Sequence, residues 1–322
     1  MTDRVGVPPA GAGLRLRGRA VAPGRAAVMA VVNRTPDSFY PAARSTGSTA
    51  LRAVEQAVAD GADLVDIGGV RAGRGPAVTP AEEIARVLPL VEQVRREFPE
   101  VLISVDTWRS EVADVVAAAG ADLLNDTWAG HDPRVVEVAA AHGAGVVCSH
   151  TGGLPPRTDP LRPAYPLAAP DDDGGPGLHG AGERPSVDPL DGVLQDVLRT
   201  LTAAARRAVD AGVHPRSVLV DPTHDFGKTT WHSLHLTRRT DRLVALGFPV
   251  LMALSRKDFV GESLDLPVEE RLEGTLAATA VAAWSGASVF RTHDVRATRR
   301  VLEMVAVLRG DRPPARVARG LA

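Results

Sequence analysis

Eight short apolar runs, each followed by a longer alanine-rich amphipathic segment, predict a single α/β domain built as a TIM (β/α)8 barrel. A third observation agrees: nearly every run stops abruptly in a cluster of polar or charged residues. The runs are 28–32, 63–67, 101–105, 122–125, 144–149, 217–220, 249–254 and 287–291. Apolar, β-branched runs of this length suit parallel strands covered on both faces. The helical segments between them read as 50–61, 110–120, 196–212 and 271–286, several closing on a glycine stop; Ser110 reads as a cap and Gly120 as a stop. A doubly wound open sheet would use fewer units, and no glycine-rich dinucleotide fingerprint follows any run.

The chain has 322 residues, enough for one large barrel. Residues 25–310 read as that barrel, 1–24 as a flexible Pro/Gly/Arg-rich arm, and 311–322 as a tail. Residues 151–190 form a long insertion after the fifth run, rich in Pro, Gly and Asp. A loop of that length is either disordered or a cover over a site. Its run Asp171-Asp172-Asp173 reads as a solvated loop more readily than as metal ligands. With a net charge of −2 and only 4% aromatic residues, a nucleic-acid surface is disfavoured. The one cysteine, Cys148, excludes an internal disulfide and fits a reducing compartment. No secretory pattern or bilayer-length apolar run is present, so a cytoplasmic location is expected.

The strand ends carry the chemistry. They read Asn33 and Asp37; Asp66 before Gly68-Gly69; Asp106-Thr107; Asn125-Asp126; Ser149-His150-Thr151; Asp221-Pro222; Ser255-Arg256-Lys257; and Arg291-Thr292-His293-Asp294. One such cluster is an ordinary turn, but in a barrel all eight meet at one face, where barrel sites lie. Asp106, Asn125 and Asp221 suit the N–H edge of a flat, nitrogen-rich ring. Asn33, Arg291 and His293 suit an anion such as diphosphate, and Arg256 and Lys257 can serve either. Neither a Ser–His–Asp order nor a zinc spacing is apparent. Cys148 reads as a small buried thiol, and His142, His179 and His214 as capping or solvated groups. His150 is a better pocket candidate, and Trp108 and Trp128 either wall the pocket or pack.

This ordered series resembles dihydropteroate synthase over about residues 28–308. The resemblance rests on Asn33-Arg34-Thr35-Pro36-Asp37-Ser38-Phe39, Asp66-Ile67-Gly68-Gly69 and Ser104-Val105-Asp106-Thr107. It continues through Asn125-Asp126, Asp221-Pro222, Phe226-Gly227-Lys228, Ser255-Arg256-Lys257, Arg271-Leu272-Glu273-Gly274-Thr275 and Arg291-Thr292-His293-Asp294-Val295. The family joins a dihydropterin diphosphate to 4-aminobenzoate. The resemblance implies that Asp106, Asn125, Asp221 and Lys257 bind pterin, and that Asn33, Arg291 and His293 hold the diphosphate. It further implies Mg²⁺ bridging the diphosphate at Asn33, with Ser255, Arg256 and Lys257 on the 4-aminobenzoate side. Catalysis would fall to Asp106, Asp221 and Lys257, in a homodimer formed through late helices.

The closing loops depart from the family. Its Asp-x-Gly-Gly continues Glu-Ser-Thr-Arg-Pro, whereas this chain has Val70-Arg71-Ala72-Gly73-Arg74. Its first loop continues Ser-Asp-Gly-Gly, against Tyr40-Pro41-Ala42-Ala43 here, and its sixth strand Gly-Ile-Gly before Phe, against Thr223-His224-Asp225. In this the sequence is similar to the divergent second paralogue of actinobacteria, and condensation is expected to be weak or lost. The alternatives are a non-catalytic pterin-binding partner or regulator of a true synthase, and condensation with a different acceptor. A corrinoid-dependent methyltransferase is disfavoured, since no cobalamin-binding segment is present.

Overall fold

Successive side chains of a strand point to opposite faces, so each strand sends every second residue into the barrel and the others to the helices. The computed structural model describes residues 13–22, 24–33, 47–158, 164–166 and 190–319. Eight parallel strands form the ring: β3 (Ala27–Asn33), β4 (Leu64–Gly68), β5 (Leu102–Asp106), β6 (Leu123–Asp126), β7 (Gly145–Ser149), β8 (Val218–Asp221), β9 (Leu251–Met252) and β10 (Val289–Thr292). Their order is β8-β7-β6-β5-β4-β3-β10-β9, and a parallel bridge between Val220 and Val250 closes the ring. The seam at β9 is short because Pro249 has no N–H to give and the Val250 N–H goes to the Ser288 hydroxyl. The expected strand over 249–254 therefore keeps only Leu251–Met252 as regular strand, beside the bridge at Val250.

The ring's helices are α1 (Gly47–Ala59), α2 (Pro80–Glu97), α3 (Ser110–Ala118), α4 (Val135–Ala141), α5 (Asp191–Asp210), α6 (Thr230–Arg238), α7 (Thr240–Val244), α8 (Asp258–Leu264), α9 (Leu272–Trp284) and α10 (Val295–Arg309). The outward set Val28, Ala30, Val32, Val65, Ile67, Ile103 and Val105 packs with α1, α2 and α3 residues such as Val54, Val91 and Val116 in one buried layer. Ser110 is the first residue of α3 and not its cap. Asp132 from the following loop accepts its N–H at 2.9 Å, supplying the capping oxygen that Ser110 was expected to give. No helix among the described residues is long and apolar enough to cross a membrane.

The inward set begins with one apolar residue from each strand: Met29, Leu64, Leu102, Leu123, Val147, Leu219, Leu251 and Val289. This layer is sealed from below by residues read as a loose arm. Residues 13–22 instead contain a hairpin, β1 (Arg15–Leu16) and β2 (Arg19–Ala20), whose Arg17-Gly18 turn has positive φ at both positions. Its Leu14, Leu16 and Val21 join the inward apolar layer. The Arg17 guanidinium donates to the Ala117 and Ala121 carbonyls, and Ser217 Oγ donates to the Arg15 carbonyl. Periodicity missed the hairpin because its strands are two residues each. Of the 151–190 insertion, residues 151–158 and 164–166 are described; the Asp171–Asp173 run and His179 lie outside the described residues, as do 34–46.

Leu16 is fully buried against that floor. Leu16→Ala is expected to lower unfolding stability by about 2–5 kcal/mol, read as a lower denaturation midpoint. An unchanged midpoint would show that the hairpin is not part of the core.

Candidate functional site

Two residues further along each strand, the inward positions change character. Above the apolar floor they are Val31, Asp66, Ser104, Asn125, Ser149, Asp221, Ala253 and Arg291, and above those Asn33, Gly68, Asp106, Thr127, Thr151, Thr223, Ser255 and His293. Most of these line one cavity of about 360 Å³ at the C-terminal mouth. All nine residues expected at the site are in that wall: Asn33, Asp106, Asn125, Asp221, Ser255, Arg256, Lys257, Arg291 and His293. Apolar surface from Val31, Val70, Leu154, Phe226 and Ala253 completes it, which suits a flat ring with a few fixed polar partners.

Asp66 lies beneath the cavity, fully buried, and organises it. One carboxylate oxygen accepts from Ser104 Oγ at 2.6 Å; the other accepts from Arg291 Nε at 2.6 Å and Asn125 Nδ2 at 3.2 Å. Arg291 Nη2 reaches Asp106 at 3.3 Å, and Thr127 Oγ1 donates to Asp106 at 3.2 Å. Burial pushes the Asp106 carboxyl up to about 7, against the opposing pull of Arg291 and with a further push from Asp66. A Cβ added at Gly68 would lie 3.3 Å from Asn33 Oδ1 and 3.7 Å from Asp106 Cβ, so glycine there lets the two neighbouring strand ends close up.

The opposite wall is built on the β8 loop. Thr223 and Asp225 have φ of 54° and 69°, left-handed conformations that cost an ordinary side chain about 1–2 kcal/mol. These are the two positions where the family sequence has glycine. Bonds hold the loop there: the Thr223 N–H donates to Asp221 Oδ1 at 2.7 Å, and the His150 N–H donates to Thr223 Oγ1 at 3.2 Å. The buried Lys228 ammonium donates to the carbonyls of His150, Thr223 and Phe226 at 2.7, 3.1 and 2.9 Å. Burial drops this amine to about 7. Gly227, at φ 61°, must be glycine, since a Cβ would fall 2.3 Å from the Thr151 carbonyl oxygen.

Lys257 donates to the His224 carbonyl at 2.6 Å and stands 4.6 Å over the Phe226 ring. Burial lowers its amine and raises the Asp221 carboxyl, while Lys257 and Lys228 draw Asp221 back. Phe226 is backed edge-on by Trp128 at 5.4 Å, and Trp128 by Trp108 at 6.4 Å. The tryptophans thus support the wall from behind.

His293 accepts or donates at Nδ1 with Ser255 Oγ at 3.1 Å, and its N–H donates to the same hydroxyl at 3.2 Å. Burial and the neighbouring Arg291 hold the imidazole down at about 4, so it is neutral at pH 7. The Arg256 guanidinium pairs with Asp294 at 2.9 Å and donates to the Val268 and Glu269 carbonyls. Its ionic group is therefore committed to the protein, although the residue borders the cavity. His150, the other pocket candidate, lies behind the wall: its Nε2 bonds Asp196 at 2.7 Å on α5. Cys148 faces the helices, and burial raises its thiol to about 12, as a packing residue should be. His142 and His214 make surface and capping bonds.

Sequence reasoning placed Asp66 at a strand end without giving it a task; the signal was its inward register, two residues above Leu64. It also gave no task to Thr127, Asp225 or Arg271, which border the cavity from the loops, or to Asp258, which does so from the first turn of α8. Loop residues have no fixed period to reveal their direction. Of the rewritten loops, Val70–Gly73 border the cavity, while Arg34–Ala43 lie outside the described residues.

A parallel barrel with fixed carboxylates, an amide and buried cations at its C-terminal mouth is a ligand-binding TIM barrel of the small-molecule kind. Residues 29–293 match the family described as pterin binding enzyme, and the chain belongs to that family. It is 56% identical to the inactive dihydropteroate synthase 2 of Mycobacterium leprae (strain TN), across 95% of this chain and 99% of that one. It is 35% identical to the dihydropteroate synthase of Bacillus subtilis (strain 168), across 86% and 87% of the two chains. Among solved structures, Rv1207 of Mycobacterium tuberculosis matches with a TM-score of 0.67 and 46% identity, covering 93% of this chain and 99% of that one. A Yersinia pestis dihydropteroate synthase in complex with a sulfonamide drug matches with a TM-score of 0.78 and 31% identity, over 93% and 99%. The fold is thus that of the dihydropteroate synthases, and the similarity to a relative named inactive is the higher of the two.

Asp66→Asn removes the charge that anchors Arg291 beneath the cavity. It is expected to cost about 2 kcal/mol of stability, measured by denaturant titration. If the unfolding midpoint does not fall, Arg291 is held by other groups.

Proposed function

We propose that this protein binds a dihydropterin ring in the cavity and condenses dihydropterin diphosphate with 4-aminobenzoate weakly or not at all. The observation that carries the reading is an asymmetry. Asp106, Asn125, Asp221 and Lys257 converge on one cavity with their orientations fixed, while Arg256, on the acceptor side, is spent on Asp294. The loop after β4 also lacks the acid and hydroxyls that the family sequence carries there.

The ring side works by matched hydrogen bonding. Carboxylates at Asp106 and Asp221 accept from ring N–H groups, Asn125 accepts and donates, and Lys257 donates to a ring carbonyl or nitrogen. Asp66 holds the Asn125 amide by one N–H, which fixes which way the amide presents its oxygen. For a diphosphate, Arg291 offers a guanidinium with five donors, two of which are engaged by Asp66 and Asp106. Neutral His293 and the Asn33 amide stand at the same lip.

Among the described residues no group of three or more His, Cys, Asp or Glu side chains could hold a metal alone. The Asn33 amide oxygen fits Mg²⁺ nonetheless, because that ion takes one or two protein ligands and fills the rest with phosphate oxygens and water. Bound there, Mg²⁺ would neutralise charge on the diphosphate. The carboxylates of Asp106 and Asp221 would face positive charge developing on the pterin as diphosphate departs. Without loop closure, capture by an amine would compete poorly with water.

A homodimer belongs to this reading. Val281 and Trp284 on α9, and Met304 and Leu308 on α10, are large apolar side chains left exposed on two packed helices, which a second copy would cover. A cytoplasmic location also belongs to it, supported by a lone reduced thiol buried at Cys148.

Calorimetry with a dihydropterin is the direct test. Binding is expected in the wild type and about 10–100-fold weaker in Asp221→Asn, which trades a charged acceptor for a neutral amide. Absence of pterin affinity would sink the reading; rapid dihydropteroate formation would overturn its second half. The Asp106 carboxyl, raised to about 7 in the free cavity, must ionise to accept ring N–H groups. Affinity should therefore rise with pH through 7 and be about tenfold weaker at pH 6 than at pH 8. Asp106→Asn should bind more weakly and show a flat profile over that range; a profile unchanged by the substitution would assign the titration to another group.

A further inference from the structure

We infer that the compartment beside the ring site selects an aromatic amine without a carboxylate, and that Asp225 is the residue setting this preference. The inference rests on the pterin reading for what lies next door, but its own basis is the β8–β9 corner of the cavity. The two arginines at that corner are each paired with a carboxylate of the protein, and a third carboxylate, Asp225, is held beside them. Asp225 Oδ2 accepts the Asp258 N–H at 2.7 Å, and its other oxygen accepts from Ser233 Oγ at 3.3 Å. The Arg271 guanidinium bonds Asp258 at 2.9 Å and the Arg256 carbonyl at 3.0 Å. Arg256 itself is bidentate on Asp294.

Asp225 and Asp258 both border the cavity, so an incoming carboxylate meets two carboxylates there. The cation facing them is Lys257, which gives one N–H to the His224 carbonyl and is drawn on by both Asp221 and Asp225. Arg71, also in the cavity wall, rises from the loop after β4, across the ring from β8 and β9. An anionic acceptor would give up its hydration to meet two carboxylates against the one ammonium of Lys257, which Asp221 and Asp225 already share, an arrangement that costs affinity. The same corner suits a flat apolar body, because Phe226, Ala253 and Val268 share it. A neutral or cationic substituent on that body would find acceptor oxygens in Asp225 and Asp258.

The position is diagnostic in backbone terms as well. Asp225 has φ 69°, so glycine can replace it without moving the chain. Glycine is also what the family sequence has at this point. The carboxylate is thus a side-chain addition on a backbone that does not require it.

The test titrates three probes, 4-aminobenzoate, 4-aminobenzamide and 4-aminobenzylamine, into the full-length protein with and without saturating pterin. Pterin binding is measured first and alone, so its failure counts against the ring reading and not against this one. In the wild type the amide and benzylamine are expected to bind at least about tenfold more tightly than the benzoate, a difference of about 1.4 kcal/mol. Asp225→Gly should cut that ratio to near unity or reverse it. Asp225→Asn, which keeps an acceptor for the Asp258 N–H, should cut it in the same direction if the glycine variant folds poorly. The affinity ratio is the readout, because a general loss of structure weakens all three probes together. Equal affinity for benzoate and amide in the wild type, no binding of any probe, or a ratio unmoved by both substitutions would overturn the inference.

Discussion

The site depends on one buried carboxylate. Asp66 has no exposure, yet it accepts from Ser104, Asn125 and Arg291, residues of three other strands. An ion pair so deep is not a reliable source of stability, since desolvating both charges offsets their attraction. Its value lies in direction. With Asp66 in place, the Arg291 guanidinium reaches Asp106, and the Asn125 amide is turned one way. Two of the groups that face the cavity, Asn125 and Arg291, therefore share a single anchor, and Asp106 is tied to it through Arg291.

The same economy appears across the ring, with the signs reversed. There a buried cation, Lys228, holds three backbone carbonyls of the β7 and β8 loops, and so fixes a turn containing two left-handed non-glycine residues. An anion fixes side chains on one wall; a cation fixes backbone on the other. Burial pushes the Asp106 carboxyl and the Lys228 amine toward neutrality, yet each keeps opposite charge or dipoles close by. A flat ring held between the two walls would meet groups whose geometry is set before it arrives.

The barrel was legible in the sequence because its strands are short apolar runs with two-sided burial, and the site because barrel strands end at one face. What was not legible follows from the same physics. The hairpin at 15–20 is too short for any period to show, and only its partners in the floor define it. Arg256 looked like a ligand group by its place beside Lys257. Its direction is decided by Asp294, 38 residues away, and no local pattern reports that. Asp66 needed the inward register of β4, which can be counted from Leu64 once the floor layer is known. His150 had the right parity class for neither wall nor floor and turned to α5 instead.

The β8 loop shows how a site can be rewritten without rewriting its fold. Thr223 and Asp225 occupy left-handed positions at a cost of about 1–2 kcal/mol each, which glycine would avoid. That cost is offset by bonds only these side chains make, from Thr223 to the His150 N–H and from Asp225 to the Asp258 N–H. The backbone path is thus the one a glycine-containing loop takes, while the groups bordering the cavity have changed from none to a hydroxyl and a carboxylate. Drift toward an idle site would be expected to relax the strained turn, because glycine there carries no left-handed penalty. The turn has not relaxed. Its added carboxylate borders the same cavity as Asp106, Asn125 and Asp221, and on the proposed reading the second compartment has changed its chemistry while the ring side has kept it.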